Sequence, residues 1–126
     1  TDPAAFALLF LHTPYLWGGR SGFGLDCSGL IQLVFQACGL SCPRDSDMQE
    51  RELGKKHPID VALRRNDLVF WAGHVGLMLD EHTLLHASGH HMCVVSEPLA
   101  QARARILAKT GKDMTSISRL SALSPV

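Results

Sequence analysis

Residues 25–39 read LDCSGLIQLVFQACG, and this stretch decides how the rest of the chain is arranged. Apolar side chains recur in it at helical spacing and predict a helix from Cys27 to about Cys38, built on Leu30, Ile31, Val34, Phe35 and Cys38. Asp26 stands at the position that caps a helix N-terminus, and Gly39 supplies the usual stop. The pattern therefore predicts a cysteine at the start of a central helix.

A thiol at that position is a candidate nucleophile. The unsatisfied N–H groups and the positive end of the helix dipole favour the thiolate of Cys27, and they also favour an oxyanion forming on an attacked carbonyl. The carboxylate of Asp26 opposes ionisation, so we expect a neighbouring imidazolium to be needed. The alternative is that Cys27 is only a small apolar residue at a helix start.

Helices and strands occupy different halves of the chain. We predict a short helix over residues 4–11, with Asp2 as its cap and Pro3 in its first turn, and another over residues 46–53. A glycine-rich loop, residues 17–24, precedes the central helix. The order of elements predicts an α+β domain with helices packed on one face of an antiparallel sheet. The predicted C-terminal elements are strands at residues 68–71, 75–79, 84–88, 92–96 and 116–120, and a helix at residues 101–109.

Two histidines lie on consecutive predicted strands and change how Cys27 is interpreted. A three-residue loop, Asp80-Glu81-His82, sets a register that places His74 and His86 on the same face of the hairpin, one diagonal step apart. His74 is then the candidate base, and His86 is the residue that orients its ring and sets its tautomer. A hydrogen-bonded structural histidine is the alternative for either one alone, but two on one polar face favour a catalytic pair. The opposite face is apolar and fits a core: Val75, Leu77 and Leu79.

The composition narrows the classes of partner. With 126 residues, 46% hydrophobic and 19% charged, the chain resembles one soluble globular domain, which we predict to span residues 1–126. Twelve basic residues balance twelve acidic ones, so nothing indicates nucleic acid or an anionic membrane as a partner. The longest apolar stretch, residues 4–11, is too short for a membrane span and lacks the basic leader of a signal peptide.

The cysteines are too sparse for a disulfide scaffold. A zinc site is an alternative, but its spacing matches no standard zinc module, so we predict no metal and no other cofactor. Buried apolar thiols are the simpler expectation for Cys38 and Cys93. The zinc ligands would come from Cys38, Cys42, His90, His91 and Cys93.

Several motifs follow one another in a recognisable order. Residues 14–19 read PYLWGG, and the LDCSGL that opens the central helix follows them. Next come Pro43-Arg44 with Gln49, and then NDLVFW, HVG and HASG, which start at residues 66, 74 and 86. Together these motifs resemble the NlpC family of cell-wall cysteine endopeptidases, over most of the chain from about Tyr15 to Pro98.

This resemblance implies a papain-like fold with a catalytic triad of Cys27, His74 and His86. Tyr15 matches a family tyrosine thought to position or polarise the substrate, although an aromatic core residue is the alternative. Family members hydrolyse peptidoglycan stem peptides, commonly between γ-D-glutamate and a diamino acid such as meso-diaminopimelate. The implied partner is therefore a murein peptide, and the implied source is bacterial.

The region from Pro14 to Gly29 is most similar to a subgroup that trims murein peptides with a free N-terminal L-alanine. In that subgroup the residues matching Asp26, Ser28 and Ser46 bind the amine end of the substrate. An acidic group beside the nucleophile suits an α-ammonium, although Asp26 also suits a helix cap alone. Asn66 stands where the family usually has glycine. The SH3-like domains that close the cleft in the subgroup are absent from this sequence. A longer natural chain is one place for them, and without them the resemblance does not imply dependence on a free N-terminus.

Other functions stay open at this stage. A CHAP-type amidase more often has a carboxylate or amide as its third residue, and circularly permuted papain-like acyltransferases place the histidine before the cysteine. A catalytically silent wall-binding module would have lost Cys27 or His74, and both are present. The sequence does not determine which bond is cut, or whether the diamino acid is lysine or diaminopimelate. It also leaves the compartment open. Murein is periplasmic, but its fragments are recycled in the cytoplasm, which unpaired cysteines fit slightly better.

Overall fold

A computed structural model describes residues 2–16, 19–21 and 24–120 of the protein. Part of the predicted glycine-rich loop, namely residues 17, 18, 22 and 23, lies outside the described residues. The helices of the described chain are α1 (Pro3–Leu8), α2 (Cys27–Ala37), α3 (Ser46–Glu52) and α4 (Leu99–Thr110). The strands are β1 (Arg20–Ser21), β2 (Gly24–Leu25), β3 (Lys55–His57), β4 (Leu68–Trp71), β5 (His74–Met78), β6 (Thr83–Ser88), β7 (Cys93–Pro98) and β8 (Ser116–Arg119).

Six strands form one antiparallel sheet in the order β3-β8-β4-β5-β6-β7, and β1 pairs with β2 in a separate ribbon. The predicted α+β class is therefore confirmed. β3 was not predicted, because its lysines are exposed and its pairing with β8 joins residues more than 55 positions apart. The predicted three-residue loop is also found: Leu77 pairs with Leu85, and the Leu79 N–H donates to the Thr83 carbonyl at 2.9 Å.

The sheet is covered on both faces, which corrects the prediction that helices pack on only one. The first core lies under α1 and α2, and the second lies under α4. The central strands therefore alternate between two apolar environments, as the four buried residues of β4 show. Members of the first core include Ala4, Ala7, Leu30, Ile31, Phe35, Phe70, Val75 and Leu77. Members of the second are Val69, Trp71, Met78, Leu84, Leu99, Ala102, Met114 and Ile117.

The central helix α2 forms as its local sequence predicts. The Asp26 side chain accepts a hydrogen bond from the Gly29 N–H at 2.7 Å and caps the helix N-terminus. Gly39 follows the helix with φ of 76°, in the left-handed region that glycine adopts without strain. These two ends hold Cys27 as the first helical residue.

The first helix is shorter than predicted and ends at Leu8 instead of residue 11. The chain then leaves the helix, because the N–H groups of His12 and Tyr15 bond to the carbonyls of Val94 and Met92, each at 2.8 Å. These bonds lay the following segment beside the start of β7. Similarly, α4 begins two residues earlier than predicted, directly where β7 ends at Pro98.

Asn66 occupies a left-handed turn with φ of 75°. Asparagine adopts this region more readily than most residues other than glycine. Its side chain has a use that glycine lacks: Oδ1 accepts a hydrogen bond from the Ala4 N–H at 2.8 Å. This bond caps α1, for which Asp2 provides no side-chain cap. In the described chain, no helix has the length and apolar character that a membrane crossing requires.

Candidate active site

Cys27 lies against the turn that leads into β5. Its side chain is 8% exposed, and its Sγ atom lies 3.9 Å from the carbonyl oxygen of Gly73. Gly73 has φ of 78°, which allows β4 to turn tightly into β5 immediately before His74. The N–H of Val75 also donates a hydrogen bond to this sulfur. The thiol therefore contacts the main chain on both sides of His74.

Burial makes the resting thiol and imidazole uncharged. It raises the pKa of Cys27, and the Asp26 carboxylate raises it further. Hydrogen bonds from the N–H groups of Val75 and of the helix start lower this pKa, but they do not outweigh burial. Burial likewise lowers the pKa of His74 to about 3, helped by His86. Burial thus disfavours the charged forms of both groups in the resting site, in contrast to the imidazolium expected from the sequence.

His74 begins a line of hydrogen bonds that runs across three neighbouring strands. Its Nε2 atom lies 2.7 Å from Nδ1 of His86, and Nε2 of His86 lies 2.7 Å from Oε2 of Glu97. The register produces this line. His74 and His86 are one diagonal step apart across β5 and β6, and Glu97 is one further step away because His86 pairs with Val95.

Glu97 was missed by the sequence analysis, which ended its strand at Ser96. The signal was available: a four-residue turn from Gly89 to Met92 pairs Ser88 with Cys93, and that register continued puts Glu97 on the face of His86. The predicted strand ended one residue too early to include Glu97.

Arg105 holds Glu97 in its ionised form. Two guanidinium N–H groups bond to its two carboxylate oxygens at 2.9 and 2.8 Å. Burial alone would raise the pKa of Glu97, but the bonds from Arg105 and His86 outweigh it and lower the pKa to about 2. The ionised carboxylate accepts the Nε2–H of His86, so Nδ1 of His86 accepts from Nε2–H of His74. Nδ1 of His74 remains as its basic nitrogen.

The face that carries the two histidines is not the polar face predicted from the sequence. It also carries Met78 and Leu84, which pack beneath α4 in the second core. Gly76 keeps this face open between the histidines, since a Cβ atom there would lie 2.5 Å from Leu84 and 3.3 Å from His86. The hydrogen-bonded line therefore lies beside apolar side chains of the second core.

Asp26 is engaged on both carboxylate oxygens. One accepts the cap bond from Gly29, and the other forms an ion pair with Arg44 at 2.9 Å. Arg44 also donates to the Ser28 hydroxyl at 2.9 Å. Two residues predicted to bind substrate, Asp26 and Ser28, are thus held together by an arginine to which the sequence analysis gave no role. An ammonium ion approaching Asp26 would meet a carboxylate already paired with a cation.

The other two predicted binding residues are Tyr15 and Ser46. Tyr15 packs partly buried against the first core, and burial raises the pKa of its phenol, with smaller effects from Cys27 and Asp26. Ser46 is the first residue of α3, two positions after Arg44. The Gln49 amide ties α3 to the start of α2, since it donates to the Ser28 and Pro43 carbonyls at 3.0 and 2.8 Å.

The cysteines of the described chain are all free thiols. Within the described residues no three His, Cys, Asp or Glu side chains gather where a metal ion could be held. The residues named for the zinc alternative therefore do not converge. Burial raises the pKa of Cys42 to about 12, so this thiol is a poor nucleophile.

Comparisons with known proteins identify the family. Residues 12–108 match the NlpC/P60 family. Over 83 residues the chain is 45% identical to a gamma-D-glutamyl-L-lysine dipeptidyl-peptidase of Bacillus subtilis. The aligned region covers 66% of this chain and 27% of that protein. A protein of the same name from Bacillus cereus is 33% identical over 102 residues, covering 79% of this chain and 28% of that protein.

Solved structures share the fold of this chain. The peptidoglycan hydrolase RipB of Mycobacterium tuberculosis superposes with a TM-score of 0.76 at 29% identity, covering 94% of this chain and 62% of that one. The chain spans less than a third of the length of the dipeptidyl-peptidases that it matches. The family match covers most of the chain, and the chain belongs to the NlpC/P60 family of papain-like cysteine peptidases.

Proposed function

We propose that this chain is the catalytic domain of a bacterial cysteine peptidase that hydrolyses peptidoglycan stem peptides. Cys27 is the nucleophile, His74 the general base and His86 the residue that orients it. One observation carries the proposal: the Cys27 sulfur lies against the turn before His74, whose ring is held by His86 and Glu97.

The reaction follows from these positions. Nδ1 of His74 takes the thiol proton as the Cys27 sulfur bonds to the scissile carbonyl carbon, and the C=O electron pair moves to oxygen. The C–N bond then breaks, and the leaving amine takes the proton from His74. Water attacks the resulting thioester, again with His74 as base, and releases the carboxylic acid and the thiol.

The start of α2 supplies the stabilisation that this reaction needs. The N–H groups of Cys27 and Ser28 donate hydrogen bonds to the Cys27 sulfur and lower its pKa. They therefore favour negative charge at this end of the helix. An oxyanion forming next to that sulfur would meet the same end of the helix. Asp26, Ser28 and Tyr15 lie around this helix start, and Ser46 begins α3, which Gln49 ties to it. We propose that these four residues bind the acyl part of the substrate.

For the bond cut, we propose the linkage between γ-D-glutamate and the following diamino acid. The names of the two Bacillus relatives support this, since both refer to a γ-D-glutamyl linkage. The region from Pro14 to Gly29, which leads into α2, resembles the subgroup that trims free murein peptides, and this resemblance also supports cleavage at that bond. A muramoyl amidase and an acyltransferase would use the same thiol chemistry on other substrates.

The test is incubation with the peptide L-Ala-γ-D-Glu-meso-diaminopimelate, with products identified by mass spectrometry. We expect L-Ala-D-Glu and free diaminopimelate, and no product with Cys27→Ala. Cys38→Ala is the matched control, because that thiol lies at the far end of α2 and its loss should leave turnover unchanged. Cleavage by Cys27→Ala, or release of muramic acid from a muramoyl peptide instead, would refute the proposal.

A further inference from the structure

A cavity of about 410 Å³ opens beside the proposed base, on the face of the sheet that α4 covers. His74 and Trp71 form part of its wall, and α4 with the segment after it forms another part through Arg105, Lys109 and Lys112. The residues proposed to bind the acyl group do not line it. The cavity therefore borders the base and not the side of the site where Asp26 and Ser28 lie.

The cavity is positively charged. Among the described residues that line it, none is acidic. The charge of Arg105 is balanced by Glu97, with which it forms two hydrogen bonds. Lys109 contacts the ring of His90 at 3.1 Å, and the carboxylate next to Lys112 in sequence, Asp113, is paired with Arg103. Two ammonium groups are thus left without a balancing carboxylate in the described structure.

The position of the cavity relative to His74 indicates which part of a substrate it receives. The base that removes the thiol proton later donates it to the leaving amine, so the leaving group lies next to that base. This step rests on the proposed function. On that basis the cavity receives the amino acid that follows the bond being cut.

We infer that Lys109 and Lys112 bind a carboxylate at the end of that amino acid's side chain. The preferred substrates are then stem peptides whose residue after γ-D-glutamate is a diamino dicarboxylic acid, such as meso-diaminopimelate. Lysine presents only an ammonium at the same place, and the two lysines of the protein repel it. The pair thus determines specificity between the two peptidoglycan types.

Lys109 also lies in the last turn of α4, where a cation complements the helix dipole. A loss of rate in a Lys109 variant would therefore not by itself distinguish binding from a weakened helix. Comparing substrates on the same enzyme removes this ambiguity, because a destabilised helix lowers turnover of every substrate alike.

The experiment measures kcat/KM for three peptides that share L-Ala-γ-D-Glu and end in meso-diaminopimelate, in its side-chain carboxamide, or in L-lysine. The carboxamide keeps the shape and removes the charge. We expect the carboxylate to be preferred over the carboxamide by about tenfold, the effect of one charge-assisted hydrogen bond near the surface. The double variant Lys109→Gln, Lys112→Gln should reduce this ratio to about one.

Lys55→Gln is the control for loss of a lysine elsewhere, since it removes one positive charge from an exposed position on β3, at the opposite end of the sheet from β7. Its ratio should equal that of the wild type. If the double variant does not fold, the wild type still provides a test, because its preference should fall as salt rises from 50 mM to 500 mM.

The outcomes separate the two proposals. Failure to cleave any of the three peptides contradicts the proposed function. Cleavage with equal kcat/KM for carboxylate and carboxamide, a preference for lysine, or an unchanged ratio in the double variant would overturn the inference and leave the hydrolase proposal standing.

Discussion

Nε2 of His86 lies 2.7 Å from Oε2 of Glu97, so the line of hydrogen bonds that starts at His74 ends on a carboxylate. A neutral imidazole by itself has two tautomers and could present either a donor or an acceptor to His74. The fixed charge of Glu97, held by Arg105, removes that freedom. Glu97 thereby acts on His74 through His86, as a positioning residue.

Glu97→Gln should lower kcat about tenfold and leave KM nearly unchanged, because a neutral amide no longer fixes the tautomer of His86. The ¹⁵N shifts of the His86 ring should show mixed tautomers, which a purely structural role would not produce. Asp113→Asn is the matched control, since it weakens a similar two-bond pair with Arg103 elsewhere on α4. An unchanged kcat in Glu97→Gln would show that His86 orients the base unaided.

Alkylation of Cys27 by iodoacetamide should accelerate steadily with pH and not level off below pH 9. Burial raises the pKa of this thiol and lowers that of His74 to about 3, so we expect no thiolate–imidazolium pair at neutral pH. The rate should be followed by mass spectrometry of the peptide that contains Cys27, which separates it from the other thiols. A constant rate between pH 5 and pH 8 would reveal a preformed ion pair and contradict this prediction.

The protein should lose stability as the pH falls from about 6.5 towards 3. The folded pKa of His74, about 3, lies below the ordinary value of 6.5, so in this window the unfolded chain binds the extra proton. Stability from this group is complete above 6.5 and is lost with a slope of up to about 1.4 kcal/mol per pH unit. Urea titrations at several pH values measure it.

His74→Asn should flatten that slope, and His82→Gln, a change in an exposed loop, should not. The burial of His86 lowers its pKa as well, so part of the slope should persist in the His74 variant. Equal slopes in the wild type and in His74→Asn would contradict the assignment of a buried neutral imidazole to His74.

Gly76→Ala should destabilise the fold by about 1–3 kcal/mol and reduce activity, because the new methyl group would overlap Leu84 and press on His86. Leu84 is fully buried, and a closely packed core resists displacement of its side chains. Gly89→Ala is the control, since a Cβ atom at that position has no neighbour within 4 Å. A Gly76 variant with wild-type stability and turnover would show that the gap between the histidines is not needed.

Asp26→Asn separates two roles of that residue. Asparagine caps a helix about as well as aspartate, so the unfolding free energy should change by less than about 1 kcal/mol. If Asp26 binds the α-ammonium of the substrate, KM should rise for a peptide with a free N-terminus and stay the same for its N-acetylated form. Equal KM changes for both peptides would assign Asp26 to helix capping and the ion pair with Arg44 alone.

The local sequence determined the central helix and the hairpin. Asp26 and Gly39 mark the ends of α2 through bonds and backbone angles formed within a few residues. The three residues after Leu79 set the register that brings His74 and His86 to one face. Such features depend on periodicity, capping and turn length, and these act over short separations along the chain.

Only the tertiary structure decided what surrounds those side chains. Arg44 reaches Asp26 across 18 residues, and Arg105 reaches Glu97 from a helix whose packing no local pattern specifies. The same packing buries Cys27 and His74, and therefore makes both neutral where the sequence suggested an ion pair. Charge states depend on burial and on distant partners, so they follow from how the elements pack and not from the order of the residues.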